Sequence, residues 1–250
     1  QDDIEASGAS DIASVLAEQT GVQFTGGHPS GAGVALEGLG DQRVLVLVDG
    51  LPLYGRIAGG LDISRIPTSV VSRVEVVKGP QSTLYGSEAM GGVVNIITRG
   101  AAAGSSNVAL RAVLGDNRRR DTDLLATVRR DRLSAMANLG HRYVERTPGI
   151  SGTAGALTDR VDGMATIRAT PSSALALDAS VLAVDERQRW PSGTQYGFAD
   201  NRQVNARAGA TWSTDALRVE STVSLAQLDH LSRTSQYTSP IAGTGDTQLQ

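Results

Sequence analysis

The feature that most constrains the fold is a two-residue alternation that repeats through the C-terminal part of the chain. From Val204 to Trp212, every second residue is Val, Ala or Trp, and the residues between them are Asn, Arg, Gly or Thr. Such alternation predicts a strand with one apolar and one polar face. We predict seven strands, near 107–115, 121–130, 133–144, 160–169, 174–187, 202–212 and 217–231. An eighth strand is predicted to start near Thr244.

The connections between these strands differ at the two ends of the predicted sheet. Short turns at 131–132, 170–173 and 213–215 alternate with the long polar or Gly-rich stretches 145–159, 188–201 and 232–244. Short turns at one end and long loops at the other are typical of an outer-membrane β-barrel, and the strands are long enough to cross a bilayer. A soluble antiparallel sandwich also alternates, but it does not require loop lengths to be segregated. We therefore favour the barrel.

Residues 1–99 follow a different pattern, which predicts a compact α+β unit. Ile12, Val15 and Leu16 have helical spacing, whereas 43–48, 73–78 and 93–98 are short apolar runs that predict strands. Of the 29 Gly residues, 17 lie in the first 100 positions, so this unit depends on turns and close backbone contacts. The small residues at 100–106 predict a hinge to the strands that follow.

Composition and motifs exclude several classes of function. The net charge is −3 and Lys78 is the only Lys, so we expect no nucleic acid partner. The chain has no Cys, no phosphate-binding loop of the G-x-x-x-x-G-K-S/T type and no G-x-S-x-G elbow. Its three His residues have no close metal-ligand spacing. We expect a protein that is not an enzyme and carries neither a cofactor nor a metal.

Four motifs in order give residues 2–99 a resemblance to a known family. They are VLVDG at 46–50, RVEVVKGP at 73–80, LYG at 84–86 and GGVVNIIT at 91–98. On these motifs the chain resembles the plug domain of TonB-dependent outer-membrane receptors. The expected organisation is a plug at 1–99, followed at 100–250 by the first seven to eight strands of the transmembrane barrel.

The resemblance implies a plug lodged in a 22-stranded barrel of the cell outer membrane, in contact with outer-membrane lipid. Such receptors take up scarce nutrients with energy from the TonB–ExbB–ExbD complex. A barrel of that size has a lumen wide enough to be plugged, whereas an eight-stranded barrel is filled by its own side chains. We expect the chain to be a fragment, with the TonB box and first plug strand in a segment before Gln1. Completion of the barrel by another chain is the alternative.

The resemblance also implies where cargo binds. In related receptors, plug loops that match 26–33 and 51–60 reach the substrate, and here they offer His28, Ser30, Tyr54 and Arg56. The guanidinium of Arg56 suits a carboxylate or catecholate anion. Trp190 and Tyr196, on the predicted loop 188–201, have rings that can stack on a flat ligand. The alternative for all six residues is packing or solvation alone.

Three charged residues of one predicted plug strand, Arg73, Glu75 and Lys78, are candidates for contact with the barrel. They can pair with lumen residues such as Arg168 or Arg207, or serve solubility alone. For the cargo, we expect a ferric siderophore or related iron chelate, with cobalamin as the closest alternative. A calcium-binding acidic cluster would favour cobalamin, and none is evident in the long loops. An outer-membrane binding or adhesion protein without transport is a further alternative.

Overall fold

The computed structural model describes residues 12–17, 20–25, 33–57, 61–146, 156–192 and 195–236. These residues form a two-stranded hairpin, a four-stranded sheet and a seven-stranded antiparallel sheet. We call the described residues up to Thr98 the N-terminal unit and the seven-stranded sheet the wall sheet. Within the described ranges, the helices are too short or too polar to cross a membrane.

The N-terminal unit contains two short helices and six strands. Apolar residues at helical spacing form α1, as predicted, and its Ile12 and Leu16 are buried in the core. The elements are α1 (Ile12–Leu16), β1 (Val22–Thr25), β2 (Gly33–Leu36), β3 (Val44–Val48), β4 (Leu51–Pro52), β5 (Val71–Lys78), α2 (Ser82–Tyr85) and β6 (Gly92–Thr98), with short 3-10 turns at Asp41–Arg43, Ile63–Arg65, Thr68–Val70 and Ser87–Ala89.

The four-stranded sheet has the order β4-β3-β6-β5, so β4 and β5 are its edges. β3 pairs in parallel with β6, and the other pairs are antiparallel. Asp49 and Gly50 join β3 to β4 with φ angles of 50° and 82°. Two consecutive residues at positive φ are typical of the tight turn that Asp-Gly favours, which explains why β3 ends there. The predicted strands of this unit are confirmed.

The wall sheet confirms all seven predicted strands in their chain order. They are β7 (Ser106–Leu114), β8 (Arg120–Arg130), β9 (Leu133–Val144), β10 (Leu157–Ala169), β11 (Leu175–Ser192), β12 (Gln195–Ser213) and β13 (Arg218–Gln236). Each strand pairs with the next in sequence. The predicted boundary at 99/100 falls in the connection between β6 and β7. The predicted eighth strand near Thr244 lies outside the described residues.

The predicted loop 188–201 is wrong, because β11 and β12 continue through it. Their pairing runs without a break from Leu175–Trp212 to Ser192–Gln195. Only two residues, 193–194, separate the strands. Trp190 and Tyr196 therefore lie on strands, where the backbone fixes the direction of their side chains. The sequence pattern did not reveal this extension because residues 188–201 are largely polar on both faces of the strands, so apolar and polar residues do not alternate clearly there.

The outer face of the wall sheet divides into an apolar and a charged zone. Five consecutive outward positions of β12, from Val204 to Trp212, are apolar, a span of about 27 Å at ~3.4 Å per residue. Exposed apolar residues such as Leu139, Val181 and Val223 extend this zone across neighbouring strands. Toward the β11–β12 hairpin it ends at exposed ion pairs, Arg202–Asp185 at 2.9 Å and His141–Asp159 at 2.9 Å. An apolar band with polar residues beyond it is typical of a membrane-facing barrel surface.

The inner face of the wall sheet packs against the N-terminal unit. Five inward residues join the core cluster that contains Val46, Val94 and Ile96 of the four-stranded sheet. They are Leu125, Met136, Met164, Leu182 and Val184. Burial of these side chains stabilises the contact between the two parts of the molecule.

Candidate functional site

A row of polar residues crosses the inner face of the wall sheet near the charged end of the outer face. The residues are direct cross-strand partners on six successive strands, so they lie at one height. The row consists of Asp121, Arg142, Arg160, Glu186, Asn201 and His230. All except His230 are buried. Buried charges require paired, hydrogen-bonded surroundings, so this row must be satisfied by its neighbours and by the N-terminal unit.

The N-terminal unit meets this row through residues 62–69, which we call the docking segment. The Asp62 carboxylate accepts a hydrogen bond from the backbone N–H of Ser64 at 3.0 Å, which caps the turn Ile63–Arg65. Ile63 and Ile66 are buried and anchor the segment in the core. Pro67 then precedes the turn Thr68–Val70. Two short turns between apolar anchors direct the side chains of Arg65 and Ser69 toward the wall sheet.

Arg65 is the central residue of this contact. Its guanidinium donates to the Glu186 carboxylate at 3.1 Å and 3.3 Å and to the side-chain oxygen of Gln203 at 3.2 Å. It also lies 3.4 Å from the Asp62 carboxylate. The side chains of Arg65 and Glu186 are each only 2% exposed. Because removing charges from water is costly, a pair this buried is stable only with several partners, and the planar fork of Arg provides the necessary donors.

Ser69 makes the second polar contact of the docking segment. Its hydroxyl donates to the Asp123 carboxylate at 3.1 Å and accepts from the Asn138 amide at 3.3 Å. The Asp123 carboxylate also accepts from Arg142 at 2.8 Å, and Arg142 is paired on its other side with Asp162. The docking segment is therefore connected to a network of charges that spans β8 to β11.

Gly140 makes room for this network. It lies between Asp123 and Asp162 in cross-strand register, and Arg142 is the next inward residue on its strand. A Cβ atom at position 140 would come within 2.8 Å of the Asp162 carboxylate and 2.9 Å of the Asp123 carboxylate and the Arg142 guanidinium. The missing side chain therefore allows one Arg to lie between two carboxylates.

Within the docking segment, the Asp62 carboxyl is buried beside both a guanidinium and a second carboxylate. Burial raises the pKa of the Asp62 carboxyl above its ordinary value, and the neighbouring Arg65 guanidinium offsets this only in part. The Glu186 carboxylate on the wall sheet adds to the rise. Two carboxyls that share one Arg favour the protonated form of one of them. This contact is therefore sensitive to protonation.

The residues predicted to touch cargo are found in different settings. His28 and Ser30 lie outside the described residues. The Tyr54 side chain is 47% exposed, and its backbone carbonyl accepts from Gln203 at 2.8 Å. Arg56 is half-buried and donates to the backbone carbonyls of Asp41 at 3.0 Å and Val44 at 3.4 Å. Within this unit, Arg56 therefore fixes the loop after β4.

Trp190 and Tyr196 lie on neighbouring strands near the tip of the β11–β12 hairpin. Trp190 is buried, and its ring lies over Gly197, its cross-strand partner on β12. It is two inward positions beyond Glu186, on the same face of β11. Tyr196 is on the opposite face and is half-buried. Of this pair, only Trp190 is on the side of the sheet that faces the N-terminal unit.

Arg73, Glu75 and Lys78 find their polar partners within the N-terminal unit. Arg73 pairs with Glu75 at 2.8 Å, and Glu75 accepts from Asn95 at 3.1 Å. Lys78 donates to the Thr20 carbonyl at 2.5 Å. In the described part of the chain, polar contacts with the wall sheet are made by the docking segment, in which the Thr68 hydroxyl accepts from Arg111, and by the Tyr54 carbonyl, which accepts from Gln203. The sequence-based predictions did not include Arg65. The signal available in the sequence was a charged residue at a matching position on the polar face of each successive predicted strand.

Comparison with known proteins places this geometry in a family. A model described as the TonB-dependent receptor plug domain matches residues 1–93. The N-terminal part of the chain is a TonB-dependent receptor plug domain. We therefore call the N-terminal unit the plug. The docking segment and the motifs at 46–50 and 73–80 lie inside the matched region.

Curated relatives match the plug and little beyond it. The vitamin B12 transporter of Vibrio cholerae (strain ATCC 39541) is 43% identical over 99 residues, which are 39% of this chain and 16% of that protein. The vitamin B12 transporter of Vibrio vulnificus (strain CMCP6) is 37% identical over 108 residues, or 42% of this chain and 18% of that protein. The matched region thus spans less than a fifth of either relative. Both relatives are transporters.

Solved structures match the plug and the wall sheet together. The siderophore receptor PiuA from Acinetobacter baumannii has a TM-score of 0.71 at 17% identity, over 91% of this chain and 35% of that one. The copper transporter OprC has a TM-score of 0.63 at 18% identity, over 92% and 45% of the two chains. At this identity the likeness establishes the fold: a plug followed by antiparallel strands of a transmembrane barrel.

Proposed function

We propose that this chain is the plug and part of the barrel of a receptor that transports a scarce nutrient across the bacterial outer membrane with energy from TonB. The observation that carries the proposal is the plug docked, through the buried Arg65–Glu186 ion pair and the Ser69–Asp123 hydrogen bond, to the inner face of a sheet whose outer face has an apolar band. A plug held in this way blocks a lumen and can be released. Among the described residues, none forms a cluster of three or more His, Asp or Glu that could hold a metal ion.

The first candidate cargo is a ferric siderophore or related iron chelate. A chelate of this kind carries carboxylate, catecholate or hydroxamate oxygens, which suit Arg, Tyr and Trp side chains. The second candidate is cobalamin, and a specific observation favours it: the plug is 43% identical to that of a vitamin B12 transporter. Both are large metal chelates that require the plug to move.

We propose that cargo rests on the exposed ring of Tyr54 and on the inner wall near Trp190. Tyr54 is exposed on the plug beside Gln203, and Trp190 is further along the inner face, beyond the polar row. The half-buried Arg56 positions the Tyr54 loop through Asp41 and Val44. His28 and Ser30 are proposed contacts on sequence alone, and Tyr196 faces outward from the hairpin.

The remaining partners follow from the same proposal. We propose that the TonB–ExbB–ExbD complex engages a segment before the plug, by the strand addition through which extended peptides join an exposed sheet edge. The apolar band between Val204 and Trp212 contacts outer-membrane lipid. The cell outer membrane is then the site of action.

The test is uptake by the complete receptor in cells that lack other receptors for the same cargo. A ferric catecholate, a ferric hydroxamate, haem and cyanocobalamin are supplied separately at nanomolar concentration. We expect accumulation of one of them, abolished by a protonophore or by loss of TonB. Saturable binding of a cargo without TonB-dependent accumulation would replace the transporter with a binding or adhesion protein.

A further inference from the structure

The outer face of the wall sheet has a groove that crosses strands β7 to β11. Its volume is about 610 Å³, and the surface that it presents is almost entirely apolar. Three cross-strand partners, Ala126, Ala137 and Ala165, lie along its floor. They are on the same face as the exposed Leu139 and on the opposite face from Met136, which is buried in the core cluster with the plug. The groove, which we call the outer groove, therefore opens on the membrane-facing side.

Larger side chains on both sides turn this row of alanines into a depression. In the next outward row toward the charged end, Leu124 and Leu139 are cross-strand partners, and both are exposed. Toward the short turns, the exposed side chain is Leu133. Leu133 and Leu139 are about 20 Å apart along β9, and a strand tilted by about 45° rises about 14 Å over that distance. This is close to half of the ~30 Å hydrocarbon core, so the outer groove has the height of one leaflet.

A guanidinium without a protein partner lies at the short-turn end of the outer groove. Arg130 is the last residue of β8 and the next outward residue after Val128, which lines the groove. Among the described residues, the exposed Arg130 side chain makes no hydrogen bond or ion pair. Arg132 follows in the turn and donates to the Pro171 carbonyl, which holds it at the same edge. Residues 129–132 contain three Arg and one Asp, a net charge of +2. This edge therefore favours an anionic partner.

The position of the groove in the membrane indicates what that partner is. The short turns of an outer-membrane barrel face the periplasm, so the outer groove lies in the periplasmic leaflet. A phospholipid of that leaflet has a phosphate at the interface and acyl chains that run toward the middle of the bilayer. A guanidinium binds a phosphate through two parallel hydrogen bonds. Since apolar groups gain little from leaving lipid, close packing against small residues decides which apolar neighbour stays bound.

We propose that the outer groove binds one anionic phospholipid, with its phosphate at Arg130 and Arg132 and one acyl chain over the alanine floor. This inference rests on the outer-membrane location proposed above and goes beyond nutrient transport. Ala137 on the floor is followed by Asn138, whose amide donates to Ser69 of the docking segment at 3.3 Å on the other face. The lipid therefore packs directly behind strands that hold the plug.

The test is lipid binding by the complete receptor, purified in detergent, stripped of lipid and measured by native mass spectrometry. The probes are phosphatidylglycerol and phosphatidylcholine with identical acyl chains, so that only the headgroup and its charge differ. Variants are compared only when they migrate as heat-modifiable barrels. A parent protein that forms no such barrel would overturn the outer-membrane location and this inference together, whereas a barrel without selective lipid binding would overturn this inference alone.

The cationic edge is tested by a pair of double variants. We expect the parent to bind one phosphatidylglycerol at least tenfold more tightly than phosphatidylcholine. Arg130→Gln with Arg132→Gln should abolish this preference. Arg187→Gln with Arg202→Gln removes two exposed outward guanidiniums beyond the apolar band, and it should leave the preference within twofold. Equal binding of the two lipids by the parent, or a preference that survives the loss of Arg130 and Arg132, would overturn the proposal.

The alanine floor is tested by a second pair of variants. Ala137→Leu fills the outer groove, and Ala208→Leu is its matched control, at an exposed outward position of β12 outside the groove. Ala137→Leu should weaken phosphatidylglycerol binding at least fivefold, and Ala208→Leu should change it less than twofold. Equal affinities in the two variants would overturn the proposal. A dimer of the lipid-free parent that Ala137→Leu abolishes would instead assign the groove to a second copy of the chain.

Discussion

The two faces of the wall sheet use the same residue types for different purposes. On the outer face, Arg202 and Asp185 pair at 2.9 Å with side chains 71% and 48% exposed. On the inner face, one residue further along β11, Glu186 pairs with Arg65 at 3.1 Å and is buried. An exposed ion pair contributes little to stability, whereas a buried charge that loses its partner is costly. Burial, and not charge, therefore distinguishes a residue that holds the plug from one that maintains solubility.

The largest expected effect tests this distinction on two adjacent residues. Glu186→Ala removes the nearer of the two carboxylates beside the buried Arg65 guanidinium and leaves Asp62 at 3.4 Å, and we expect a loss of about 3–5 kcal/mol in the free energy of unfolding. Asp185→Ala, its neighbour on the outer face, should cost less than about 1 kcal/mol. Urea unfolding of the complete receptor in detergent, followed by tryptophan fluorescence, measures both. Equal losses would remove the contrast between the faces.

A second comparison uses two glycines on opposite faces. Gly140→Ala places a methyl group within 3 Å of two carboxylates and a guanidinium, so we expect a loss of about 1–3 kcal/mol. Gly163→Ala, on the outer face of β10, meets only ordinary contacts at 3.5 Å and 3.9 Å and should be nearly neutral. The same unfolding assay compares them. A neutral Gly140→Ala would mean that the charge network adapts without cost.

A smaller effect should appear at Gln203. Gln203→Ala loses the hydrogen bonds to Arg65 and to the Tyr54 carbonyl, and we expect about 0.5–1.5 kcal/mol of destabilisation. Val204→Ala, the next residue on the membrane-facing side, is the control for a change in strand propensity alone. Hydrogen exchange at the amide groups of 53–57 should increase in the Gln203 variant and not in the control.

The smallest expected effect concerns pH. Because the Asp62 pKa is raised in the folded protein, ionisation of Asp62 opposes folding above that pKa. The contribution of Asp62 to the free energy of unfolding is therefore fully present below the ordinary carboxyl pKa of about 3.9. It is lost as the pH rises through the raised pKa of Asp62 in the folded protein. Asp62→Asn should melt at or above the parent temperature at pH 7.5, with the difference shrinking toward pH 4. A variant that melts lower at pH 7.5 would show that the ionised form stabilises docking.

Most of the fold was predictable from the sequence, because alternation and Asp-Gly turns are local signals. The extension of β11 and β12 to Ser192 and Gln195 was not, since polar residues on both faces give no periodicity to detect. Among the described residues, the charged strand with Arg73, which is 61% exposed, pairs within the plug, and the buried ion pair with the wall sheet is made by Arg65, which the sequence-based predictions did not include. Arg65 lies between buried isoleucines in an irregular segment, and its partner Glu186 is 121 residues away. Pairing over that separation depends on strand register, which single residues do not reveal.

The tall β11–β12 hairpin limits how the wall sheet can change in length. Beyond Asp185 the two strands continue for about seven residues each, a height of roughly 24 Å above the apolar band. A loop of that size would tolerate insertions of any length, whereas here a single inserted residue would turn Trp190 from the inside of the sheet to the outside. Extensions that keep Trp190 on the inner face must therefore come two residues at a time and on both strands together. The hairpin can lengthen only by whole pleats.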